Sequence, residues 1–109
     1  MKILIKNVLE SDAAIFHNEG LLVNDIIELG IKFGKKVSLS FDGIEHCSTQ
    51  FLNAAIGKLY RVHNTEALSV SFETIEMSAS ITSRLDRVIK NATRSEAYDK
   101  MIHEAVAEL

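Results

Sequence analysis

Apolar and polar residues alternate through Lys2–Lys6, with Ile3 and Ile5 on one side and Lys2, Leu4 and Lys6 on the other. A period of two predicts a strand. Glu10, Ser11 and Asp12 read as a turn, and Ala13–Phe16 as a short second strand. From Gly20 the period changes. Leu22, Ile26, Leu29 and Phe33 recur at helical spacing, so a first helix is expected from about Glu19 to about Phe33, with Asn18 as N-cap and Gly34 as C-terminal cap. Val37, Leu39 and Phe41 alternate with Ser38 and Ser40, which predicts a strand over Val37–Phe41. Asp42-Gly43 marks a sharp change of direction.

A second helix is expected to open at Ser48 or Thr49 and to bury Leu52, Ala55, Ile56, Leu59 and Val62. Gly57 inside it costs about 1 kcal/mol relative to alanine, which predicts a close approach of this helix to the sheet. Leu68–Phe72 reads as a further strand, and Ile81, Leu85, Val88 and Ile89 as a third helical stripe. Thr93-Arg94-Ser95-Glu96 matches a capping box. A last helix follows, with Tyr98, Ile102, Ala105, Val106 and Leu109 on one face. Strands alternating with helices imply βαβ units with right-handed crossovers. The expected architecture is α/β: one domain over residues 1–109, with a mostly parallel or mixed sheet of about four strands and helices mainly on one face.

Composition narrows the function classes. The chain has 109 residues, 47% of them apolar and 25% charged, which is ordinary for a globular domain. A net charge of -3 argues against a nucleic-acid surface. The densest basic cluster, Lys32, Lys35 and Lys36, reads as a complement to a helix C-terminus or as an anion contact. Cys47 is the only cysteine, so no intramolecular disulfide can form, as suits a reducing cytoplasm. The first residues lack a signal-peptide core, and no apolar run approaches the roughly 20 residues of a membrane span. A cytoplasmic protein that binds neither membrane nor nucleic acid is expected.

Candidate chemistry is sparse. His17, His46, His63 and His103 form no metal-ligand spacing, and the His46-Cys47 pair supplies too few ligands for a structural zinc. The five glycines are scattered, with no Gly-x-Gly-x-x-Gly or Walker-type loop, so no nucleotide cofactor is expected. Glu73, Glu76, Asp86 and Asp99 read as solvated faces. Cys47 beside His46 raises a catalytic thiol, against the alternative of a small residue packing a loop. Ser48 and Thr49 have two readings. Ser48 is a helix N-cap worth about 1 kcal/mol with Thr49 the first helical residue, or one of the two hydroxyls is a phosphoacceptor. A helix start tolerates an anion. A phosphate there would add about -1.5 to -2 charges to a loop already holding Asp42 and Glu45. Gln50 and Asn53 share a helix face and, with Thr49 and His46, outline a partner-facing patch or a solvated one.

The stretch Val37–Tyr60, VSLSFDGIEHCSTQFLNAAIGKLY, resembles the STAS-like domain family of unknown function through Phe41, Gly43, Ile44, Ser48, Thr49, Phe51, Leu52, Gly57 and Leu59. The resemblance extends to about Asn91. That family is similar to the anti-sigma-factor antagonists, in which a serine of an Asp-Ser-Ser-Gly motif at a helix start is phosphorylated by an ATP-binding partner kinase. On this chain the motif's aspartate falls on Ser48, its phosphorylated serine on Thr49, its second serine on Gln50 and its glycine on Phe51. The resemblance implies a regulatory protein-binding module, and the turn and the start of the second helix place its docking surface at Asp42, Gly43, Glu45, His46, Gln50 and Asn53. Its implied partner is a histidine-kinase-like ATPase or anti-sigma-type kinase, with Thr49 or Ser48 as the phosphoacceptor. A small enzyme using Cys47 and a structural subunit of a larger assembly are the competing readings. A homodimer through the last helix is a further expectation.

Overall fold

The computed structural model describes the backbone of residues 1–107 and the side chains of residues 1–93. In chain order the elements are β1 (Lys2–Leu4), α1 (Ile5–Leu9), β2 (Ala13–Ala14), α2 (His17–Lys32), β3 (Val37–Ser40), β4 (His46–Cys47) and α3 (Thr49–Leu52). A π-helical segment (Asn53–Gly57) leads into α4 (Lys58–Val62), then α5 (Thr65–Ser71), β5 (Phe72–Ile75) and α6 (Ala79–Ala107).

The α/β class holds, but the expected four-stranded sheet is instead two parallel sheets. One has three strands in the order β1-β3-β5; the other pairs β2 with β4. In the larger sheet Ile3 sits beside Leu39, and Val37 beside Phe72. These four are buried, so one face is apolar. The other face is mostly polar, with half-buried Leu4 and Ile75 flanking Ser40. Ser38 Oγ donates to Glu73 at 2.7 Å, Ser40 Oγ donates to Glu76 at 3.1 Å, and Lys2 pairs with Glu76 at 2.9 Å. Among the described residues no helix is long and apolar enough to cross a membrane.

Several local expectations change. The first strand ends at Leu4 rather than Lys6, because its partner β3 ends at Ser40, opposite Leu4. Ile5 then opens a short helix while staying fully buried. Helix α2 starts after Phe16 rather than Asn18; the Glu19 carboxylate accepts from the Phe16 amide at 3.2 Å. Its C-terminus is as expected. Gly34 has φ +73, Lys35 N donates to Gly30 O at 3.0 Å, and Gly34 N donates to Ile31 O at 2.9 Å. Those two bonds form a Schellman cap.

The face that α2 buries is not the expected one. Leu22, Leu29 and Phe33 are 49%, 55% and 71% exposed. The buried row is Gly20, Val23, Asn24, Ile27 and Gly30. Two glycines in that row let other elements come close: a Cβ on Gly20 would lie 2.6 Å from Phe51 O and 2.6 Å from Ala54 Cβ.

The segment read as a strand over Leu68–Phe72 is helix α5 as far as Ser71, and the strand follows it. Asn64 caps that helix, accepting from Glu66 N at 2.8 Å. Val62 is exposed, and Gly57 approaches not the sheet but α6, where a Cβ would meet Val88 Cγ1 at 3.2 Å. The capping box at Thr93 does not form, because α6 runs unbroken through it. Thr93 Oγ1 instead donates back to Ile89 O at 3.0 Å. The stripe Ile81, Leu85 and Val88 is buried as expected, with Ile89 partly so.

Candidate functional site

The link from β3 into α3 is held by backbone geometry. Phe41 is buried, and Ile44 N donates to its carbonyl at 3.0 Å, which closes the Asp42-Gly43 turn. Gly43 has φ +77, a conformation that side-chain-bearing residues rarely adopt. The amides of Glu45 and His46 both donate to Asp12 O, at 2.8 and 3.2 Å, and β4 then pairs with β2. Ser48 N adds a bond to Ala14 O at 3.0 Å. The corner is therefore stapled to the Asp12–Ala14 segment along its length.

Ser48 is the N-cap of α3. Its Oγ accepts from Phe51 N at 3.0 Å and donates to Ile15 O at 2.5 Å. The hydroxyl is thus engaged as donor and as acceptor, and a cap of this kind contributes about 1 kcal/mol. Thr49 is exposed, and among the described residues its hydroxyl makes no hydrogen bond. Asp42, Gly43, Glu45, His46 and Gln50 are exposed as well, while Asn53 is half-buried.

The structure adds groups that the sequence reading passed over. Thr49 lines a cavity of about 380 Å³ together with Ser80, Ser83, Arg84, Arg87 and Asn91 of α6. Their spacing along the chain places them on one side of that helix, next to the apolar stripe Ile81, Leu85 and Val88. That polar spacing was a signal in the sequence, but nothing local tied it to Thr49. Arg84 also reaches across to donate to the Cys47 carbonyl. It borders a second cavity of about 360 Å³, which contains Glu45, His46 and Ser48. The ion pairs among the described residues are Lys2–Glu76, Lys36–Glu73 and His63–Glu28, so neither Arg84 nor Arg87 pairs with a described carboxylate.

Cys47 points inward at 5% exposure. Burial pushes its thiol up to about 11, and the Arg84 charge acts in the opposite direction without offsetting it. A nucleophilic cysteine needs a lowered value so that thiolate is present near neutral pH, and this environment does the reverse. Alkylation of the native protein by iodoacetamide should be slow at neutral pH and rise about tenfold per pH unit through the alkaline range, following the thiolate fraction. A fast reaction that levels off near neutrality would contradict this and reopen the catalytic reading.

A second exposed surface lies on α2, where Met1, Ile26, Leu29, Gly30, Phe33 and Lys35 line an apolar hollow of about 240 Å³. Tyr98, Ile102, Ala105, Val106 and Leu109, on which a dimer through the last helix was expected, lie outside the residues with described side chains.

Comparison with known proteins gives one family match. The model of a family described as a STAS-like domain of unknown function matches residues 20–82, more than half of the chain. No curated protein and no solved structure matches it.

Proposed function

Because this chain belongs to the STAS-like domain family of unknown function, we propose that it is a regulatory protein-binding module with its switch at Thr49. The docking surface is formed by the exposed residues of the corner Asp42–Thr49, which are Asp42, Gly43, Glu45, His46 and Thr49, with Gln50 at the start of α3. Asn53, half-buried one turn on, is at its margin. The partner class is an ATP-binding kinase of the histidine-kinase-like or anti-sigma type.

The observation that supports this reading is the unequal position of two adjacent hydroxyls. Phosphorylating Ser48 would remove the proton it donates to Ile15 O and force a phosphate into the half-buried cap position. Thr49 can be modified without losing a bond to any described residue. In that step Thr49 Oγ attacks the γ-phosphorus of a nucleoside triphosphate. The P–O bond to the diphosphate leaving group breaks, and the hydroxyl proton passes to solvent. The rigid staples on either side keep the fold unchanged while the surface charge changes by about -1.5 to -2.

The test compares Thr49→Ala and Thr49→Glu with the natural chain as tagged baits in the native host, alongside mass spectrometry of the chain itself. A partner kept by the alanine variant and lost at least tenfold by the glutamate variant is the expected result, with phosphate found at Thr49 and not at Ser48. Equal recovery by both variants, together with an unmodified Thr49 under every growth condition, would remove the switch.

A further inference from the structure

We propose that the cavity between Thr49 and α6 is a binding site for a phosphate monoester, with Arg84 and Arg87 as its cationic groups. Five of the side chains lining it carry hydrogen-bond donors of the kind an anion accepts: two guanidinium groups and the hydroxyls of Thr49, Ser80 and Ser83. The amide of Asn91 is a sixth. Among the described residues no carboxylate lines it. In a chain with net charge -3, a cavity with two arginines and no acid among its described lining residues is a local reversal of sign.

The arginines stand three residues apart on one helix face, where like charges repel each other. No described carboxylate relieves that repulsion. Arg84 is braced by its bond to the Cys47 carbonyl, and a guanidinium has five N–H donors, so it has others to offer. The planar fork suits phosphate oxygens better than a lysine ammonium would.

The phosphate has two sources. It can sit on Thr49 itself, which rests on the reading above and adds to it: the modified residue would be clamped to α6, filling the arginine site and closing it to other anions. Alternatively, it arrives on a separate molecule, in which case the site stands without any modification of Thr49.

Both sources are testable with the whole chain. Inorganic phosphate titrated into the unmodified protein should give saturable NMR shifts of the Thr49, Ser83 and Asn91 amides. The affinity should fall at least tenfold in Arg87→Gln, which leaves the Arg84 brace intact. In the second arm, phosphothreonine is installed at position 49 during synthesis, so that no kinase is needed. With the phosphate held on Thr49, its removal by a phosphatase should be at least tenfold slower than in the Arg87→Gln version, and added phosphate should no longer bind. Rapid removal in both, with inorganic phosphate still binding the unmodified chain, assigns the site to an incoming ligand. It would leave the Thr49 switch to be judged by the partner assay. Absence of saturable shifts at those three amides, or equal affinity in Arg87→Gln, overturns the site.

Discussion

Gly20→Ala is expected to destabilise the protein by about 2 kcal/mol, although alanine is the better helix former. The substitution gains about 1 kcal/mol of helix propensity. Against that, the new Cβ would stand 2.6 Å from the Phe51 carbonyl oxygen and 2.6 Å from Ala54 Cβ, with Ala55 N at 3.2 Å. Two of these three neighbours are backbone atoms, which cannot move aside by changing rotamer. Overpacking of this kind typically costs about 1–3 kcal/mol, and against backbone neighbours the upper figure applies, about 3 kcal/mol, which leaves a net loss of about 2 kcal/mol. In a domain of this size the net loss lowers the melting temperature by roughly 10 °C.

Gly34→Ala is the matching control. No atom lies within 4 Å of a Cβ there, and only its φ of +73 opposes the substitution, at about 1 kcal/mol. Thermal unfolding of both variants separates close contact from backbone strain. A Gly20→Ala protein as stable as the natural one would show that α2 does not sit hard against the start of the second helix.

Asn24→Asp is expected to have a larger effect at neutral pH. Asn24 is 1% exposed, and its Nδ2 donates to the Ala55 carbonyl at 3.1 Å, inside the π-helical segment. The aspartate is nearly isosteric, but it places an acceptor against an acceptor and buries a charge. A loss of roughly 3 kcal/mol follows from the combined hydrogen-bond and desolvation penalties. Burial raises the carboxyl's folded-state pKa above its ordinary value. The penalty is therefore absent at acid pH, where the protonated group can donate, and sets in as pH rises through the folded-state value. The gap in melting temperature between variant and natural protein should widen from about pH 5 to about pH 8. A gap that stayed constant, or narrowed as pH rose, would mean that the amide does not hold the π segment. Gly20 and Asn24 are four residues apart on the same buried face of α2, so their effects should not simply add.

Both residues lie on the α2 face that hydropathy alone did not select. The apolar stripe Leu22, Ile26, Leu29 and Phe33 scores higher than a row of glycine, asparagine and two β-branched residues, yet only Ile26 of it is partly buried and the other three are exposed. The buried row wins because small side chains let α2 approach the second helix closely, and the polar Asn24 finds its acceptor there. Periodicity identifies a helix but does not weigh closeness of approach against side-chain hydrophobicity.

The candidate site was legible in part for the same kind of reason. Ser48 as cap, Thr49 as first helical residue and the Asp42-Gly43 turn were all readable, since each depends on neighbours within a few residues. Arg84 and Arg87 were not, because only the packing of α6 across the second helix brings them to Thr49.

The α/β class, the spans of α2 and β3 to within a few residues, and the capped corner between β3 and α3 all follow from short-range signals in the chain. Those features are written in periodicity, caps and turn residues, whose energies are local. Tertiary structure alone decided how the strands divide into two parallel sheets, and that β5 begins at Phe72 opposite Val37 rather than at Leu68. It also decided that α6 runs unbroken past Thr93, and which face of α2 is inside. Each of these is set by contact between segments far apart in the chain, where burial and close approach outweigh local propensity.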